Sequence, residues 1–368
     1  MKEKRKVVFL CDSLSQPRCI KRILSFVDSG YDCEVYGYDR GKYNCNALPP
    51  SVKVTVLGQM KDGKEYLSKL SELKKQVKAI VREHSLENVL YYSFGFVSTF
   101  FFHLQKVNYV YEISDVLYGY PRFSKILWLL KGIDRRVIKD SVATVMTSDG
   151  FKGFFGIEDD KIIVQPNKVN AALIGVQRRP MTLSQGDKLV FAYVGAIRYD
   201  TILRFSETIG KYFPQHEYHF YGQASGTTLA VIQDQMAKYS NVKYFGAFKN
   251  PEGLEEVYSQ INVVTACYTV SSLNERIAEP NKLYESLFFC KPIIVSDGIF
   301  LSKQVQKYSC GFCLDASTEA AIRDFVQNID YDEINAISVR DSQYDASTLV
   351  DDATEILQKV NGYFERTY

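Results

Sequence analysis

The sequence lacks a marked excess of either charge, and it contains little histidine. Its 368 residues carry 45 Lys and Arg against 43 Asp and Glu, which leaves a net charge of +2. This near balance excludes a polyanion-binding tail, so no nucleic-acid partner is expected. The histidines lack the spacing of a metal site, so no metal is expected. They are His84, His103, His216 and His219.

Long hydrophobic runs are also missing. The longest, Val89–Leu104, is interrupted by Ser93, Gly95 and Ser98 and is too short for a spanning helix. The basic N-terminus leads directly into Val7–Leu10, a segment of strand length without a cleavage site, so no signal peptide is expected. Eight cysteines, expected as free thiols, fit a reducing compartment. We therefore predict a cytoplasmic protein.

Short apolar runs alternate with longer amphipathic segments, a pattern typical of α/β proteins in which helices flank parallel sheets. The length suits two domains, and the polar stretch Val169–Asp187 indicates a linker. We predict a first Rossmann-like domain over residues 1–180, a second over 181–340, and a helical tail over 341–368. The predicted strands are Lys6–Asp12, Asp32–Tyr38, Val52–Leu57, Asn88–Tyr92, Tyr109–Ile113, Val142–Thr147, Ile162–Gln165, Leu189–Val194, Glu217–Tyr221, Val242–Phe245, Ile261–Tyr268, Ile293–Ser296 and Gly311–Leu314.

The most informative segment is Glu279–Ser286, followed by Cys290–Asp297. Pro280 favours the start of a helix, and Asn281 is a good N-cap residue. Pro292 ends the helix before a buried strand. The segment therefore places a helix N-terminus on the side of a sheet where its strands end.

Three polar residues of this helix are spaced to share one face. Lys282, Glu285 and Ser286 stand at positions i, i+3 and i+4. Free backbone N–H groups, the positive end of the helix dipole and a lysine together suit a diphosphate, and a glutamate can accept the two hydroxyls of a ribose. The alternative is an exposed Lys–Glu pair that stabilises the helix by a few tenths of a kcal/mol.

The segment Pro280–Ile294 resembles the donor-site signature of GT-B glycosyltransferases, P-N-K-L-x-E … G-K-P-V-I. The resemblance is to the large retaining family of the group 1, or family 4, type that builds capsules and lipopolysaccharides. It implies two Rossmann-like doubly wound domains that face each other across a cleft, with a C-terminal helix that crosses back to the N-terminal domain. It also implies that the sugar nucleotide is held by Glu279, Asn281, Lys282, Leu283 and Glu285.

A second landmark of the same family is the strand-Gly-x-x-Arg turn at Tyr193–Arg198. Gly195 lets the backbone approach phosphate oxygens, and the resemblance implies that Arg198 binds the diphosphate, which a guanidinium can do through two parallel hydrogen bonds. Leu203 stands where relatives often carry a lysine. We expect Lys282 to supply that positive charge.

Two loops of the second domain are expected to complete the donor site. Phe248 follows the strand whose end cradles the nucleobase in the family, and it is expected to stack on the base, with a core position as the alternative. Asn274 lies in the loop Thr269–Ala278 and is expected to contact the donor.

The first domain is expected to bind the acceptor, a glycan or a lipid-linked molecule. Asp115 stands where relatives often read E-x-H-D, with Ser114 in place of the histidine. The resemblance implies that Asp115 orients the transferred sugar or the acceptor, and helix capping is the alternative. Gln165–Lys168 resembles the turn that closes this domain in the family.

The segment Pro121–Lys139 combines basic and apolar residues at helical spacing. Such a helix can lie on an anionic membrane surface, here the inner membrane, and core packing with a solvated basic rim is the alternative.

Together these features predict a metal-independent glycosyltransferase without a further cofactor. It would move a hexosyl group from a UDP- or GDP-linked donor, with retention, in surface polysaccharide assembly. The catalytic groups would be Arg198, Lys282, Glu285 and Asp115. A GT-B sugar-nucleotide epimerase and a non-catalytic GT-B-like scaffold are the alternatives.

Two literal motifs are predicted to be structural. Cys310–Cys313 is a CxxC, but no helix is expected to begin between its cysteines as in redox motifs. Asp330–Asp332 is a DxD, a metal signature of another glycosyltransferase fold, and is interpreted as a surface turn.

Overall fold

The computed structural model describes residues 5–40, 48–59, 70–85 and 88–367. The chain forms two compact units, the first comprising Met1–Pro166 and Asp352–Tyr368 and the second Asn167–Asp351. The boundaries between the units therefore lie after Pro166 and after Asp351, whereas the predicted domain boundaries lie after residues 180 and 340.

The first unit is built on a seven-stranded parallel sheet in the order β3-β2-β1-β4-β5-β6-β7. The central strands are buried along most of their length, which explains why they read as continuous apolar runs in the sequence. The strands are β1 (Lys6–Cys11), β2 (Asp32–Asp39), β3 (Lys53–Gln59), β4 (Val89–Phe94), β5 (Tyr109–Ile113), β6 (Ala143–Met146) and β7 (Ile162–Val164). The helices are α1 (Pro17–Asp28), α2 (Leu70–Glu83), α3 (Phe96–Leu104), α4 (Leu127–Asp140) and α5 (Asp149–Phe155), with 3₁₀ turns at Leu117–Gly119 and Pro121–Ile126.

The second unit is built on a six-stranded parallel sheet in the order β10-β9-β8-β11-β12-β13. Its strands are β8 (Val190–Val194), β9 (Glu217–Tyr221), β10 (Val242–Gly246), β11 (Val263–Ala266), β12 (Ile293–Ser296) and β13 (Gly311–Leu314). Its helices are α6 (Asp200–Tyr212), α7 (Gly226–Lys238), α8 (Leu254–Ser259), α9 (Leu273–Ile277), α10 (Asn281–Phe288), α11 (Phe300–Tyr308), α12 (Glu319–Gln327), α13 (Tyr331–Ser342) and α14 (Ala346–Leu349), with a 3₁₀ turn at Ala171–Leu173. Each predicted strand of both units corresponds to an observed one.

The chain ends in helix α15 (Thr354–Thr367), which belongs to the first unit. Ile356, Val360 and Phe364 lie in the hydrophobic core beneath that unit's sheet and are almost completely buried. Burying side chains of this size stabilises the packed helix by about 1.5–3 kcal/mol each. The predicted return of the C-terminal helix is confirmed. None of the described helices combines the length and the apolar character needed to cross a bilayer.

Each sheet reverses its winding direction at one place. In the second unit the chain runs outward from β8 through β9 to β10 and then starts again from β11 on the other side of β8. The first unit reverses in the same way between β1 and β4. In open α/β sheets, ligands bind beyond the carboxyl ends of the strands at such a reversal, because the neighbouring loops diverge there. The loops after β8 and β11 are therefore the first place to look for a site.

A buried carboxyl group on α4 gives the first unit a pH-dependent stability. Burial raises the pKa of Asp134 to about 7, although hydrogen bonds from Tyr118 and Tyr111 act in the opposite direction. Tyr118 donates to Asp134 Oδ2 over 2.7 Å. Between about pH 4 and pH 7 the folded state therefore binds more protons at this site than the unfolded state, so its contribution to the free energy of unfolding falls as pH rises.

We expect Asp134→Asn to remove this contribution, because the amide keeps an acceptor for Tyr118 and cannot ionise. The variant should be more stable than the wild type by about 2–4 kcal/mol at pH 8, with a difference that shrinks towards pH 4. Urea denaturation of both proteins across this pH range measures the difference. A constant difference at all pH values would contradict the assignment.

Candidate functional site

Two loops at adjacent strand ends, those after β8 and β9, approach each other beside the reversal point of the second unit. Gly195 follows β8 and Gly222 follows β9, and their φ angles of +127° and +131° lie in the region that favours glycine. A Cβ at Gly222 would lie 2.0 Å from the carbonyl oxygen of Gly195, a distance that no side chain allows. The close approach of these backbones therefore requires glycine.

The ammonium group of Lys282 lies at the Gly195 turn. A Cβ built on Gly195 would be 2.9 Å from Lys282 Nζ. Lys282 is only 6% exposed, and its Nζ lies 4.6 Å from the centre of the Tyr193 ring. Its ammonium group makes no hydrogen bond and no ion pair with the described residues. Burial lowers the pKa of Lys282, Glu285 opposes this shift, and Arg198 adds to it.

A buried cation without a hydrogen-bonding partner is costly, because the Tyr193 ring and the Glu285 charge replace only part of its lost hydration. An anion bound at this point would offset the cost. The structure thus brings the motif glycine and the motif lysine together at the reversal point of the sheet, where the sequence predicts a diphosphate site.

Glu285 lies one turn further along α10 and is 3% exposed. Tyr258 of α8 donates a hydrogen bond of 2.8 Å to its Oε2, and the Asn281 side-chain amide donates to its Oε1. Burial and the Glu285 charge raise the pKa of Tyr258, so this hydroxyl stays protonated and serves as a donor. These two donors orient the carboxylate that the sequence predicts for the ribose hydroxyls.

The start of α10 differs from the prediction by one residue. Pro280, with φ −77° and ψ 151°, is the N-cap residue, and Asn281 is the first helical residue. The N-cap prediction for Asn281 is therefore wrong, because Pro280 occupies that position, and the Asn281 side-chain amide donates to Glu285 one turn further on. The alternative of an exposed Lys–Glu pair is wrong as well, since both residues are buried.

The remaining predicted donor residues fall into different surroundings. Arg198 is exposed and stacks on Tyr199, with its guanidinium carbon 5.3 Å from that ring. Leu283 is completely buried in the hydrophobic core, and its amide donates to the carbonyl oxygen of Pro280. Its side chain is therefore a packing element. Asn274 and Glu279 are both buried, and Glu279 accepts a hydrogen bond from Tyr284.

Phe248 borders a depression of about 600 Å³ beside β10. The same depression is lined by Phe245 and Tyr221, whose rings stack at 4.5 Å with an interplanar angle of 6°. Phe245 is 49% exposed. Phe248 is half-buried against the core and also lines the depression. Its position is therefore compatible with both interpretations, a base-binding residue and a core residue.

In the first unit, Asp115 is exposed after β5, and Val116 is the N-cap residue of the following 3₁₀ turn. Asp115 therefore does not occupy the N-cap position itself, and its role towards the acceptor stays a prediction.

The sequence analysis missed a buried charge network behind that loop. Glu112 is completely buried in β5, where Arg22 Nε donates to it over 3.1 Å and Arg18 Nε lies 3.3 Å away. Asp12 lies at the reversal point of this sheet, and burial raises its pKa to about 6 against the opposing charges of Arg40 and Arg18. A glutamate within the apolar strand Tyr109–Ile113 is the signal that could have revealed the network.

The two literal motifs have structural explanations. Asp330 is the N-cap residue of α13, and its side chain accepts from the backbone N–H groups of Asp332 and Glu333, so the DxD is a helix cap. Gly311 begins β13 directly after the buried Cys310, and no helix begins between Cys310 and Cys313.

One cluster in the described residues brings together potential metal ligands, Glu34, Glu83 and His84. Lys53 Nζ lies 3.1 Å from Glu83 Oε1 and also pairs with Glu34, and Lys6 Nζ lies 3.4 Å from Glu34 Oε2. Because ammonium groups already neutralise these carboxylates, we assign no metal to the cluster.

Gly195→Ala tests the closeness of the glycine turn to Lys282. We expect donor affinity to fall at least about tenfold and stability to fall by about 1–2 kcal/mol, because the methyl group meets the ammonium and the φ angle disfavours it. Gly298→Ala is the matched control, since Gly298 has a φ of +74° and no atom within 4 Å of a built Cβ. The control should lose stability and keep donor affinity. Equal donor affinities in the two variants, measured by calorimetry, would contradict the geometry.

No family model and no curated protein sequence matches this chain. Solved structures do match it over almost the full length. A sucrose-phosphate synthase from Thermosynechococcus elongatus superposes with a TM-score of 0.73 at 14% identity, covering 99% of both chains. Anabaena HepE in complex with UDP and glucose gives 0.68 at 14% identity over 98% of this chain and 99% of HepE. WaaG, a glycosyltransferase involved in lipopolysaccharide biosynthesis, gives 0.68 at 12% identity over 96% and 98%.

The chain has the GT-B fold. The predicted fold class is therefore confirmed, with two Rossmann-like units and a C-terminal helix that packs on the first. A Listeria monocytogenes protein proposed to be a UDP-N-acetylglucosamine 2-epimerase also matches, with a TM-score of 0.64 at 9% identity over 100% of this chain and 98% of that protein. The GT-B fold alone does not distinguish transferases from epimerases, so function must be argued from the site.

Proposed function

We propose that this protein is a glycosyltransferase that moves a sugar from a UDP- or GDP-linked donor to a glycan or lipid-linked acceptor. One observation carries the proposal. Lys282 holds a buried ammonium group, without a hydrogen bond or ion pair among the described residues, against a glycine turn at the reversal point of the second sheet. Its burial is explained when an anion is the usual occupant, and a diphosphate fits the neighbouring cation Arg198 and the N-terminus of α10.

With the diphosphate at Lys282, the nucleoside of the donor would lie on one side of this cation and the sugar on the other. Glu285, to which Tyr258 and Asn281 donate, would accept the two ribose hydroxyls, and the depression beside Phe245 and Phe248 would offer aromatic surface to the base. Asn274 and Glu279 would line the sugar side of the same helix start. The complexes of HepE with UDP and with UDP-glucose support a nucleotide-sugar donor on this fold.

The reaction would break the bond between the anomeric carbon and the β-phosphate oxygen, and the nucleoside diphosphate would leave with the electron pair. The acceptor oxygen would bond to the same carbon from the same face, with its proton passing to the departing phosphate, so the anomeric configuration is retained. Lys282 and Arg198 would stabilise the charge that develops on the phosphate oxygens, and Asp115 would orient the sugar or the acceptor. Because these two cations would neutralise the phosphate charge, the reaction would need no metal ion. We therefore expect turnover in the presence of EDTA.

Surface polysaccharide or glycolipid assembly is the process that we propose for this activity. The similarity to WaaG, which is involved in lipopolysaccharide biosynthesis, supports this choice.

An epimerase is the second candidate, because a proposed epimerase shares the fold. Epimerisation by proton abstraction needs an acid–base pair at the sugar. The two histidines of the second unit are engaged elsewhere, His216 with the amide of Leu189 and His219 with Glu217. Neither is therefore available as that pair, which favours the transferase.

Turnover of UDP- and GDP-sugars, followed with and without a crude lipid and glycan extract as acceptor source, separates the candidates. A transferase releases nucleoside diphosphate faster when an acceptor is present and yields a longer glycan or glycolipid. An epimerase converts the sugar nucleotide without an acceptor. Absence of both reactions, together with absence of donor binding, would leave the scaffold interpretation and contradict our proposal.

A further inference from the structure

The side chain of Arg198 is held by the next residue of the chain, Tyr199. Arg198 Nε donates to the Tyr199 hydroxyl oxygen over 3.2 Å, and Arg198 Nη2 donates to the same oxygen over 3.1 Å. The guanidinium carbon lies 5.3 Å from the centre of the Tyr199 ring. The edge of the guanidinium that carries Nε and Nη2 is therefore engaged by a single phenol oxygen.

Tyr199 is the fixed member of this pair. It is the N-cap residue of α6, and its carbonyl oxygen accepts from the amides of Ile202 and Leu203 over 3.1 and 3.3 Å. Its ring packs against the core and lies 4.6 Å from the ring of Tyr268, which is 6% exposed. Arg198, in contrast, is exposed. The hydroxyl is thus anchored by backbone and ring, and the guanidinium takes its orientation from it.

The Tyr199 hydroxyl also lies within electrostatic reach of Lys282. Burial raises the pKa of Tyr199, and the charges of Arg198 and Lys282 act in the opposite direction. Burial lowers the pKa of Lys282, and Glu285 and Tyr199 oppose that shift. The phenol oxygen therefore interacts with both cations that we assign to the diphosphate.

The orientation of Arg198 matters for anion binding. An exposed arginine has many rotamers, so ordering it around a ligand costs conformational entropy, and a partner that orders it in advance reduces this cost. With Nε and Nη2 turned towards Tyr199, the end of the guanidinium is the edge that a phosphate would meet. Leu203, one turn along α6, is buried and adds no charge. The site therefore depends on the two cations that it has.

We propose that Tyr199 is a positioning residue of the donor site, whose hydroxyl holds the Arg198 guanidinium in the orientation that binds the diphosphate. The inference rests on the proposed function, because it requires a diphosphate at Arg198. The alternative is a local contact between neighbouring side chains that has no effect on a ligand. The other end of α6 carries a comparable pair, in which Lys211 Nζ lies 4.6 Å from the centre of the Tyr212 ring.

Replacing Tyr199 with phenylalanine removes the hydroxyl and keeps the ring beside Tyr268. We expect the affinity for UDP or GDP, measured by calorimetry on the full chain, to fall about tenfold, because hydrogen bonds to a charged group are lost. Tyr212→Phe is the matched control, since it also removes a tyrosine hydroxyl beside a basic neighbour on α6. The control should keep the wild-type affinity.

A double-mutant cycle with Arg198→Gln distinguishes positioning from a general effect on the site. Arg198→Gln alone should weaken binding about 30-fold, because a charge-assisted contact to phosphate is lost. In that background Tyr199→Phe should cause less than about a twofold further loss, since no guanidinium is left to orient. Equal losses in the two backgrounds would show that Tyr199 acts independently of Arg198 and would overturn the inference.

The same measurements separate this inference from the proposed function. If Arg198→Gln weakens binding and Tyr199→Phe does not, the positioning role is contradicted and the donor site stands. If neither variant changes the affinity, Arg198 does not meet the diphosphate and the inference fails with that assignment. Failure of the wild type to bind both UDP and GDP would contradict the inference and the proposed function together.

Discussion

Replacing Lys282 with methionine is expected to abolish donor use and at the same time to stabilise the ligand-free protein. The ammonium is buried beside Gly195 without a hydrogen bond or ion pair among the described residues, so its removal relieves a desolvation cost of about 1–3 kcal/mol. The same change removes the cation that meets the diphosphate. We expect kcat/KM to fall at least about 100-fold and Tm to rise by a few degrees.

The pH dependence of this gain has a defined sign. Burial lowers the pKa of Lys282 in the folded state, whereas the unfolded side chain titrates near 10.4. The cost of the folded ammonium is therefore fully present below the folded-state pKa and disappears as pH rises towards the unfolded value. The stability difference between Lys282→Met and wild type should shrink over the same range.

Lys291 offers a matched control at the other end of the same helix. Burial lowers its pKa to about 8, so it is also a lysine whose charge is costly in the folded state. Lys291→Met removes the same charge and should also raise Tm, but donor affinity should stay at the wild-type value. Loss of donor affinity in both variants would indicate a general charge effect. Loss in neither would show that Lys282 does not contribute to donor binding.

Replacing Glu285 with glutamine is expected to weaken donor binding about 30-fold or more. Tyr258 and Asn281 donate to this carboxylate, which we propose to bind the ribose hydroxyls. Hydrogen bonds to a charged group are worth about 1.5–3 kcal/mol each. Tyr258→Phe should produce a smaller loss, about fivefold, because the carboxylate stays in place with one partner fewer. Glu207→Gln, an exposed glutamate on α6, is the control and should have no effect.

A change in the ligand makes this prediction specific. A 2′,3′-dideoxynucleotide diphosphate cannot donate to Glu285, so wild type and Glu285→Gln should bind it equally. The comparison is a double-mutant cycle with one change on the ligand, measured by calorimetry. If Glu285→Gln weakens the dideoxynucleotide as much as the ribonucleotide, Glu285 supports the fold of the site and does not read the ribose.

The fold was predictable because parallel strands are buried on both faces. Val7–Leu10 and Ile293–Val295 read as short apolar runs between turn residues, and they form β1 and β12. The association of Gly195 with Lys282 was also predictable, because two motifs of one resemblance occur in the expected order. The closeness of Lys282 to Gly195 in the structure agrees with the two motif assignments.

Other features depend on packing that no local pattern reports. Tyr258 lies 27 positions before Glu285 in a short helix without a motif, and only the fold brings its hydroxyl to the carboxylate. The predicted linker, Val169–Asp187, is part of the second unit, because Arg178 donates to the carbonyl oxygens at the end of α10 and α13. In the sequence, a charged residue such as Arg178 suggests a solvated linker, because its bonds to backbone carbonyl groups leave no pattern of side chains.

The most direct test of the donor site is a thermal-shift panel of UDP-, GDP- and ADP-sugars in the presence of EDTA. A ligand that binds only the folded state raises Tm by mass action. We predict a rise with UDP- or GDP-sugars for the wild type and no rise for Lys282→Met. No rise with any sugar nucleotide, or an equal rise in the variant, would contradict the assignment of Lys282 to a nucleotide-sugar site.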